Sequence, residues 1–335
     1  MPTTHASTPS ALELIWRRKS TGSMPGKRRD GCKLALVVEG GGMRGCIAAG
    51  MGAAISRLRY LNCFDQLIGT SAGALGLPYL LADQAVADAP IYAEDLAKGR
   101  FISTWRAFHS NRTIMDLDYL FDDVFENQRP LRFDVIKQSA IELGIVATRV
   151  STGEAVLLNR FQRKSSLMKA MRASALIPGV GGHSAVELQR QNKKHRLIDG
   201  GYSAFLPEEI ARQNGATHLM VLTNLPDGLF HQEPGYNHVR IVGAALSRLN
   251  CPVAKTFSRD HIQANEQLAR IREGKDASIA HCEIPAHGPY IDTLCKKRHV
   301  MWQGLEAGFK AMCCLLDHPD EPIPDEWTNL KNAKK

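Results

Sequence analysis

The chain has 335 residues, 44% of them hydrophobic and 23% charged, which is ordinary for a folded globular protein and long enough for one large domain or two modest ones. The formal net charge of +8 admits acidic partners such as anionic lipid or nucleic acid, and composition alone does not choose between them. With no apolar run of about 18 residues and no hydrophobic segment of about seven near the start, neither a spanning helix nor a signal peptide is expected.

Residues 1–31 are rich in Ser, Thr, Pro and Gly, with Arg17, Arg18, Lys19, Lys27, Arg28 and Arg29 and a short apolar patch at Leu12, Leu14, Ile15 and Trp16. This composition predicts a basic, disordered arm, either a solvated tail or a tether to anionic lipid at about 1 kcal/mol per basic residue. Leu34 to Val38 is a continuous apolar run with β-branched members, as in a strand buried on both faces of a parallel sheet. Glu39 and three glycines end it, and residues 46–60 follow a helical pattern with many small side chains. Phe64 to Ile68 predicts a second strand and residues 72–82 a second helix, which Pro78 should kink or shorten.

Residues 91–126 carry periodic apolar side chains (Phe101, Trp105, Phe108, Leu117, Leu120, Phe121, Phe125) and predict two helices outside the sheet, serving as core or as a cap over an acyl pocket. Ile141–Arg149 and Ala155–Asn159 flank Ser-Thr-Gly-Glu and predict a β-hairpin. Residues 165–176 form an amphipathic helix pattern ending near Pro178 and Gly179. A short strand at Arg196–Ile198 runs into Asp199-Gly200-Gly201. Glu208–Asn214 reads as helix capped by Gly215, and His218–Thr223 as another apolar strand. Beyond residue 240 the pattern is mainly helical, with one strand at Ser278–Ile284 and a loosely ordered, proline-containing tail from His318 to Lys334-Lys335. Alternating strands and helices without an internal linker predict one α/β domain with helices on both faces of a mostly parallel sheet.

Eight cysteines lie scattered without a C-x-x-C pair, which favours reduced thiols in a cytoplasmic compartment over a disulfide framework. Cys313-Cys314 reads as one core position and its neighbour. No zinc-spaced ligand cluster is visible, and neither a metal nor a cofactor is expected.

The chemistry concentrates in three glycine-rich turns. Gly69-Thr70-Ser71-Ala72-Gly73 matches G-x-S-x-G after a strand and before a helix, a nucleophile elbow whose glycines relieve crowding beside the serine. At a helix N-terminus the Ser71 hydroxyl meets a dipole that favours developing negative charge. Gly40-Gly41-Gly42-Met43-Arg44-Gly45 has two readings. Its N–H groups can form an oxyanion hole, where one donor is typically worth about 3 to 4 kcal/mol of barrier. Alternatively Gly40, Gly42 and Gly45 match G-x-G-x-x-G of a nicotinamide-dinucleotide site, which wants an acidic residue at the end of the second strand, whereas Asp65 stands at that strand's start. Ser71 also needs a base. Of twelve histidines none sits in a preorganised turn, including His183, His195 and His218. Asp199-Gly200-Gly201 instead places a carboxylate on a sharp turn at a strand's C-terminal edge, where open α/β sheets build their sites.

These motifs in this order, together with Met171-Arg172-Ala173-Ser174-Ala175-Leu176-Ile177-Pro178-Gly179 ahead of the aspartate, resemble the patatin-like phospholipase family of bacterial type over about residues 33–225. The resemblance implies a three-layer α/β/α fold and lipid acyl hydrolysis by a Ser–Asp dyad without histidine or metal. Carried onto this chain, Ser71 is the nucleophile and Asp199 the general base. The backbone around Gly41, Gly42 and Met43 forms the oxyanion hole, and Arg44 steadies that loop or contacts a phosphate. The implied activity is that of a phospholipase A or lysophospholipase. A lipid transacylase using the same acyl-enzyme, a nicotinamide-dependent oxidoreductase and a non-catalytic lipid-binding module are the alternatives. The expected partners are a phospholipid or other lipid ester and, peripherally, an anionic membrane, with no nucleic acid. Residues 32–225 are expected to form the catalytic core, 226–317 a mainly helical extension packed on it, and 318–335 a tail.

Overall fold

The computed structural model describes residues 9–108, 113–190 and 193–333. The first eight residues of the basic arm and the terminal Lys334-Lys335 lie outside the described residues, as does the side chain of Phe108. In chain order the strands are Leu34–Val38 (β1), Gln66–Thr70 (β2), Glu142–Arg149 (β3), Ala155–Leu158 (β4), Val186–Arg190 (β5), Lys193–Asp199 (β6), His218–Pro226 (β7) and Ile279–Ile284 (β8). The α-helices are Ala11–Ser20 (α1), Gly45–Arg57 (α2), Ala72–Leu81 (α3), Ala85–Asp88 (α4), Phe133–Gln138 (α5), Lys164–Ser174 (α6), Glu208–Gln213 (α7), Tyr236–Arg248 (α8), Asp260–Arg272 (α9), Arg298–Leu315 (α10) and Asp325–Asn332 (α11).

All eight strands join one sheet. Its parallel part is β3-β2-β1-β7-β8, and β4, β5 and β6 add antiparallel to one end, so a mostly parallel sheet carries an antiparallel margin. Strand periodicity divides the core into two layers. Leu34, Leu36 and Val38 face Met51, Leu77 and Phe309 from α2, α3 and α10. Ala35 and Val37 face the opposite cluster, with Leu206 just before α7, Ala211 on α7 and Ile271 on α9. The expected three-layer α/β/α arrangement is therefore present. Against α2, helix α10 packs at backbone distance, since a Cβ on Gly308 would lie 2.0 Å from the Ile47 carbonyl and one on Gly50 2.1 Å from that of Leu305.

Register on β3 determines where the chemistry can sit. Ile145 pairs with Gly69 of β2 and with Leu158 of β4, so those two strands lie on opposite edges of β3. Ala147 pairs with Val156 of β4 and with Asp199 of β6, which puts β6 on the same edge as β2. Thr70, the last residue of β2, pairs with Val146, and Asp199, the last of β6, pairs with the next residue, Ala147. The two strands thus meet end to end along a single neighbour.

Several expectations need correction. Residues 11–20 of the supposedly disordered arm form a helix with a Ser10–Glu13 capping box, and Leu14, Ile15 and Arg18 are buried. Arg18 is held through all five of its N–H donors: Asp30 Oδ2 at 2.8 Å and Oδ1 at 3.0 Å, Asp65 Oδ2 at 2.7 Å, and the Cys63 and Cys32 carbonyls at 2.7 Å each. The tail likewise carries α11, whose Trp327 is fully buried and donates from Nε1 to the Val86 carbonyl at 2.7 Å. The C-terminal segment is also less of an extension than expected, because β8 completes the sheet and α10 covers α2.

The second strand is displaced to Gln66–Thr70, α3 passes Pro78 only as far as Leu81, and β5 was not foreseen. In the 91–126 segment the turns Tyr92–Leu96 and Tyr119–Gln128 are π-helical. Phe101, Leu117, Leu120, Phe121 and Phe125 are core there, while Trp105 is exposed.

Replacing Arg18 by alanine would strand Asp30 and two buried carbonyls, and should cost about 3–5 kcal/mol in urea unfolding. A loss below about 1 kcal/mol would show that α1 does not depend on this ion pair. The Arg18 hydrogen bonds hold Asp30 at about 2, below its ordinary 3.8. Its contribution should be complete above pH 4 and disappear as pH falls through about 2.

Candidate active site

Ser71 occupies the sharp turn between β2 and α3 at φ +50° and ψ −123°, a left-handed conformation that a non-glycine residue adopts only when its surroundings impose it. The imposing contact is Gly73, where a Cβ would lie 2.6 Å from the Glu39 carbonyl and 2.7 Å from that of Val38. Helix α3 thereby starts directly against the end of β1. Gly69, Thr70 and Ala72 flank Ser71 in this turn, with Thr70 Oγ1 donating to the Ala204 carbonyl at 2.8 Å.

Across the end of β2, the Ser71 hydroxyl donates to Asp199 Oδ2 at 2.7 Å. The Gly201 N–H donates to the other carboxylate oxygen at 2.7 Å. Gly200 is required by proximity, since its Cβ would lie 2.3 Å from the Val146 carbonyl. Backbone contacts fix Asp199 further: its N–H donates to the Leu176 carbonyl at 2.9 Å, and its own carbonyl accepts from Thr148 Oγ1 at 2.7 Å. Asp199 is 4% exposed, and that burial pushes its carboxyl up to about 7, against the Gly201 and Ser71 hydrogen bonds that favour the ionised form.

Ser174, within the 171–179 segment, has a role that its sequence does not reveal. Ser174 is fully buried at the end of α6, accepts the Ser71 N–H at 2.8 Å and donates to the Val146 carbonyl at 2.5 Å. Residues 171–179 therefore hold Ser71 through Ser174 and Asp199 through Leu176. A serine near a helix end gives no local sign of such a contact.

The glycine loop faces the serine, with a Cβ on Gly40 lying 3.3 Å from Ser71 Cβ. Four of its six candidate N–H donors are engaged. Gly40 donates to the Phe205 carbonyl, Met43 to that of Thr293, Arg44 to that of Gly41, and Gly45 to those of Gly42 and Met43. Gly41 and Gly42 are left without a backbone acceptor among the described residues. Gly42 has φ +59°, and its Cβ would lie 2.6 Å from the Thr293 carbonyl, so a residue far beyond the glycine motif shapes this loop. Arg44 is 8% exposed, and its Nε is buried with no hydrogen-bond partner among the described residues.

Ser71, Asp199, Gly41, Gly42 and Arg44 open onto one pocket, whose lining also includes His231, His238, His261 and Asp260. None of these four was singled out from the sequence. His231 Nε2 stands 3.7 Å from the buried Glu39 Oε2, its ring lies against Phe205 at 4.7 Å, and Asn265 brackets its backbone at 2.7 and 2.9 Å. Burial lowers His238 and pushes Asp260 up to about 6. Behind Ala72 and Gly73, a narrow crevice between α2 and α3 is walled by Val38, Ala48, Leu80, Tyr92 and Phe125. The 91–126 segment is thus both core and wall of an apolar space beside the serine.

The dinucleotide reading loses its acidic residue. Asp65 lies at the start of β2, its Oδ2 accepting the Leu34 N–H at 2.9 Å and its Oδ1 paired to Arg28 at 2.8 Å, at the end of the sheet away from the glycine loop. His218 is a satisfied structural histidine, bonded to Thr217 at 2.8 Å and the Pro9 carbonyl at 2.9 Å. Among the described residues no cluster of three or more His, Cys, Asp or Glu could hold a metal ion.

Ser174→Ala would leave the Ser71 N–H and the Val146 carbonyl without the Ser174 hydroxyl in a dry interior, for an expected loss of about 1–3 kcal/mol in urea unfolding. A loss under about 0.5 kcal/mol would mean that these groups find other partners.

A family model described as Patatin-like phospholipase matches residues 36–212. The uncharacterized protein YjjU of Escherichia coli (strain K12) is 30% identical over 203 residues, covering 59% of this chain and 54% of that protein. Mouse patatin-like phospholipase domain-containing protein 7 is 27% identical over 220 residues, covering 63% of this chain and 15% of that protein. The chain thus spans about half the length of the bacterial relative and a small part of the mouse one. Among solved structures, VipD from Legionella pneumophila superimposes with a TM-score of 0.41 at 10% identity, over 85% of this chain and 67% of that chain, too loosely to bear on chemistry. The family model takes in more than half of the chain, including the glycine loop, Ser71 and Asp199, and on that ground the chain belongs to the patatin-like phospholipase family.

Proposed function

We propose that the protein is a serine lipid acyl hydrolase of phospholipase A or lysophospholipase type, with Ser71 as nucleophile and Asp199 as its base. The observation that carries this reading is the 2.7 Å hydrogen bond from a conformationally strained serine, at a strand-to-helix turn, to a buried carboxylate. Family membership supplies the substrate class.

In this mechanism Ser71 Oγ attacks the ester carbonyl carbon while its proton passes to Asp199 Oδ2. The carbonyl oxygen becomes an anion facing the N–H groups of Gly41 and Gly42, the two loop donors not already engaged. Collapse breaks the bond to the alcohol oxygen, which takes the proton from Asp199, and leaves an acyl-serine. Water then attacks the acyl carbon, giving its proton to Asp199. The second tetrahedral intermediate releases the fatty acid, and the proton returns to Ser71. A carboxylate of ordinary acidity is a weak base toward an alcohol, and the desolvation that pushes Asp199 to about 7 narrows that mismatch. The acyl chain is assigned to the apolar crevice between α2 and α3, and the head group to the pocket of Arg44 and the histidines.

Ser71→Ala and Asp199→Asn should each reduce phospholipid or lysophospholipid hydrolysis by about 1,000-fold or more, measured as fatty acid released. Full activity in either folded variant would overturn the assignment. Asp199→Asn should also stabilise the fold in a pH-dependent way. With its folded value raised to about 7 from an ordinary 3.8, Asp199 subtracts stability increasingly as pH climbs through that window and by a constant amount above it. The gain from the asparagine should therefore grow between pH 4 and 7 and then level off, as read by urea unfolding.

A further inference from the structure

The mouth of the Ser71 pocket is bordered by apolar side chains open to solvent. Nine large hydrophobic side chains are exposed among the described residues, and six of them are Leu229, Phe230, Tyr236, Ile241, Ile262 and Tyr290. Each of the six lies within three residues of a pocket-lining His231, His238, His261 or Thr293. Single exposed apolar residues are ordinary, whereas a concentration around one opening marks a contact surface.

Most of this border is built by α8 and its flanking loops. Of the 13 residues of α8 only Val242 and Leu246 are buried. Charge then selects the partner. From the start of α8 to Arg259 the chain carries Arg240, Arg248, Lys255 and Arg259, all exposed, and no carboxylate, with Asp227, Glu233 and Asp260 flanking that stretch. In the N-terminal segment, for which a lipid tether was one of two readings, Arg18 and Arg28 are instead consumed by Asp30 and Asp65.

We propose that the α8 border, with Leu229, Phe230, Ile262 and Tyr290, is a docking surface for an anionic lipid bilayer. On it α8 lies along the membrane plane and the Ser71 pocket opens toward the lipid. A helix with a thin buried face and mixed basic and apolar exposure suits the headgroup boundary, where apolar side chains insert and arginines meet lipid phosphates. The choice of a bilayer rests on the lipid hydrolase reading, and its test keeps the two separable.

The Ser71→Ala protein, which should bind without consuming lipid, is sedimented with vesicles of phosphatidylcholine alone or mixed with phosphatidylglycerol. Binding should be stronger on the anionic vesicles and weaken as salt rises. Adding Arg240→Ser, Arg248→Ser and Lys255→Ser should weaken anionic-vesicle binding roughly 100-fold. Adding Phe230→Ser, Tyr236→Ser and Ile262→Ser should weaken it at least about tenfold. With Ser71 intact, both triple variants should hydrolyse a water-soluble short-chain ester at rates within about twofold of the unaltered protein, since none of the six residues lines the pocket.

Absence of vesicle binding, equal binding by either triple variant, or a dimer abolished by the apolar variant while vesicle binding persists would each overturn the docking proposal. Vesicle binding lost in both triple variants, by a protein that hydrolyses no ester in any form, would support docking and defeat the hydrolase reading.

Discussion

One neighbour, β3, brings Ser71 and Asp199 together. It carries β2 and β6 end to end on the same edge, so the residue following β2 and the last residue of β6 meet where consecutive β3 residues, Val146 and Ala147, take their partners. Sheet pairing has a fixed spacing along the strand, and slipping β6 by one residue would point Asp199 away from Ser71. The remaining contacts secure that junction. Ser174 ties Ser71 to the Val146 carbonyl, Leu176 and Thr148 hold the Asp199 backbone, and Gly200 allows the turn to press against β3.

Burial makes this junction both costly and useful. An isolated carboxylate in a dry interior is unfavourable, and Asp199 has one hydroxyl and one N–H to offset that cost. Among the described residues no ion pair reaches it: its carboxylate meets only the Ser71 hydroxyl and the Gly201 N–H, and the Arg44 Nε stands in the loop without a hydrogen bond. At the other end of the sheet the same physics gives a different outcome. Arg18 and Arg28 surround Asp65 and Asp30, and these charges pin the N-terminal helix instead of raising a carboxyl. Paired charge gives anchorage, and an unpaired buried carboxylate is raised toward neutrality.

Legibility in the sequence followed locality. Ser71 and Asp199 could be located because tight turns need glycine at fixed offsets, and Gly73 and Gly200 do meet backbone carbonyls at distances no side chain tolerates. The apolar runs of β1 and β7 were plain, because both are buried throughout. What escaped depended on distant partners. Leu14 and Ile15 looked like a stray patch until Arg18 found Asp65, 47 residues away. Trp327 looked like part of a tail until α11 met the core. β5, Val-Glu-Leu-Gln-Arg, is a short edge strand paired with β6, and its alternation rests on two apolar positions, Val186 and Leu188, too few to mark a strand by themselves. In the glycine loop the family resemblance pointed to Gly41, Gly42 and Met43 together, and only the Thr293 carbonyl, distant in the chain, separates Met43 from the two glycines.

The most direct test of the central claim, that Asp199 alone activates Ser71, is the pH dependence of Ser71 phosphonylation by a fluorophosphonate, followed by mass spectrometry. The rate should rise with a single midpoint near 7, as Asp199 loses its proton, and His231→Gln should leave that midpoint in place. A rate independent of pH, or a midpoint that vanishes with His231, would contradict the account.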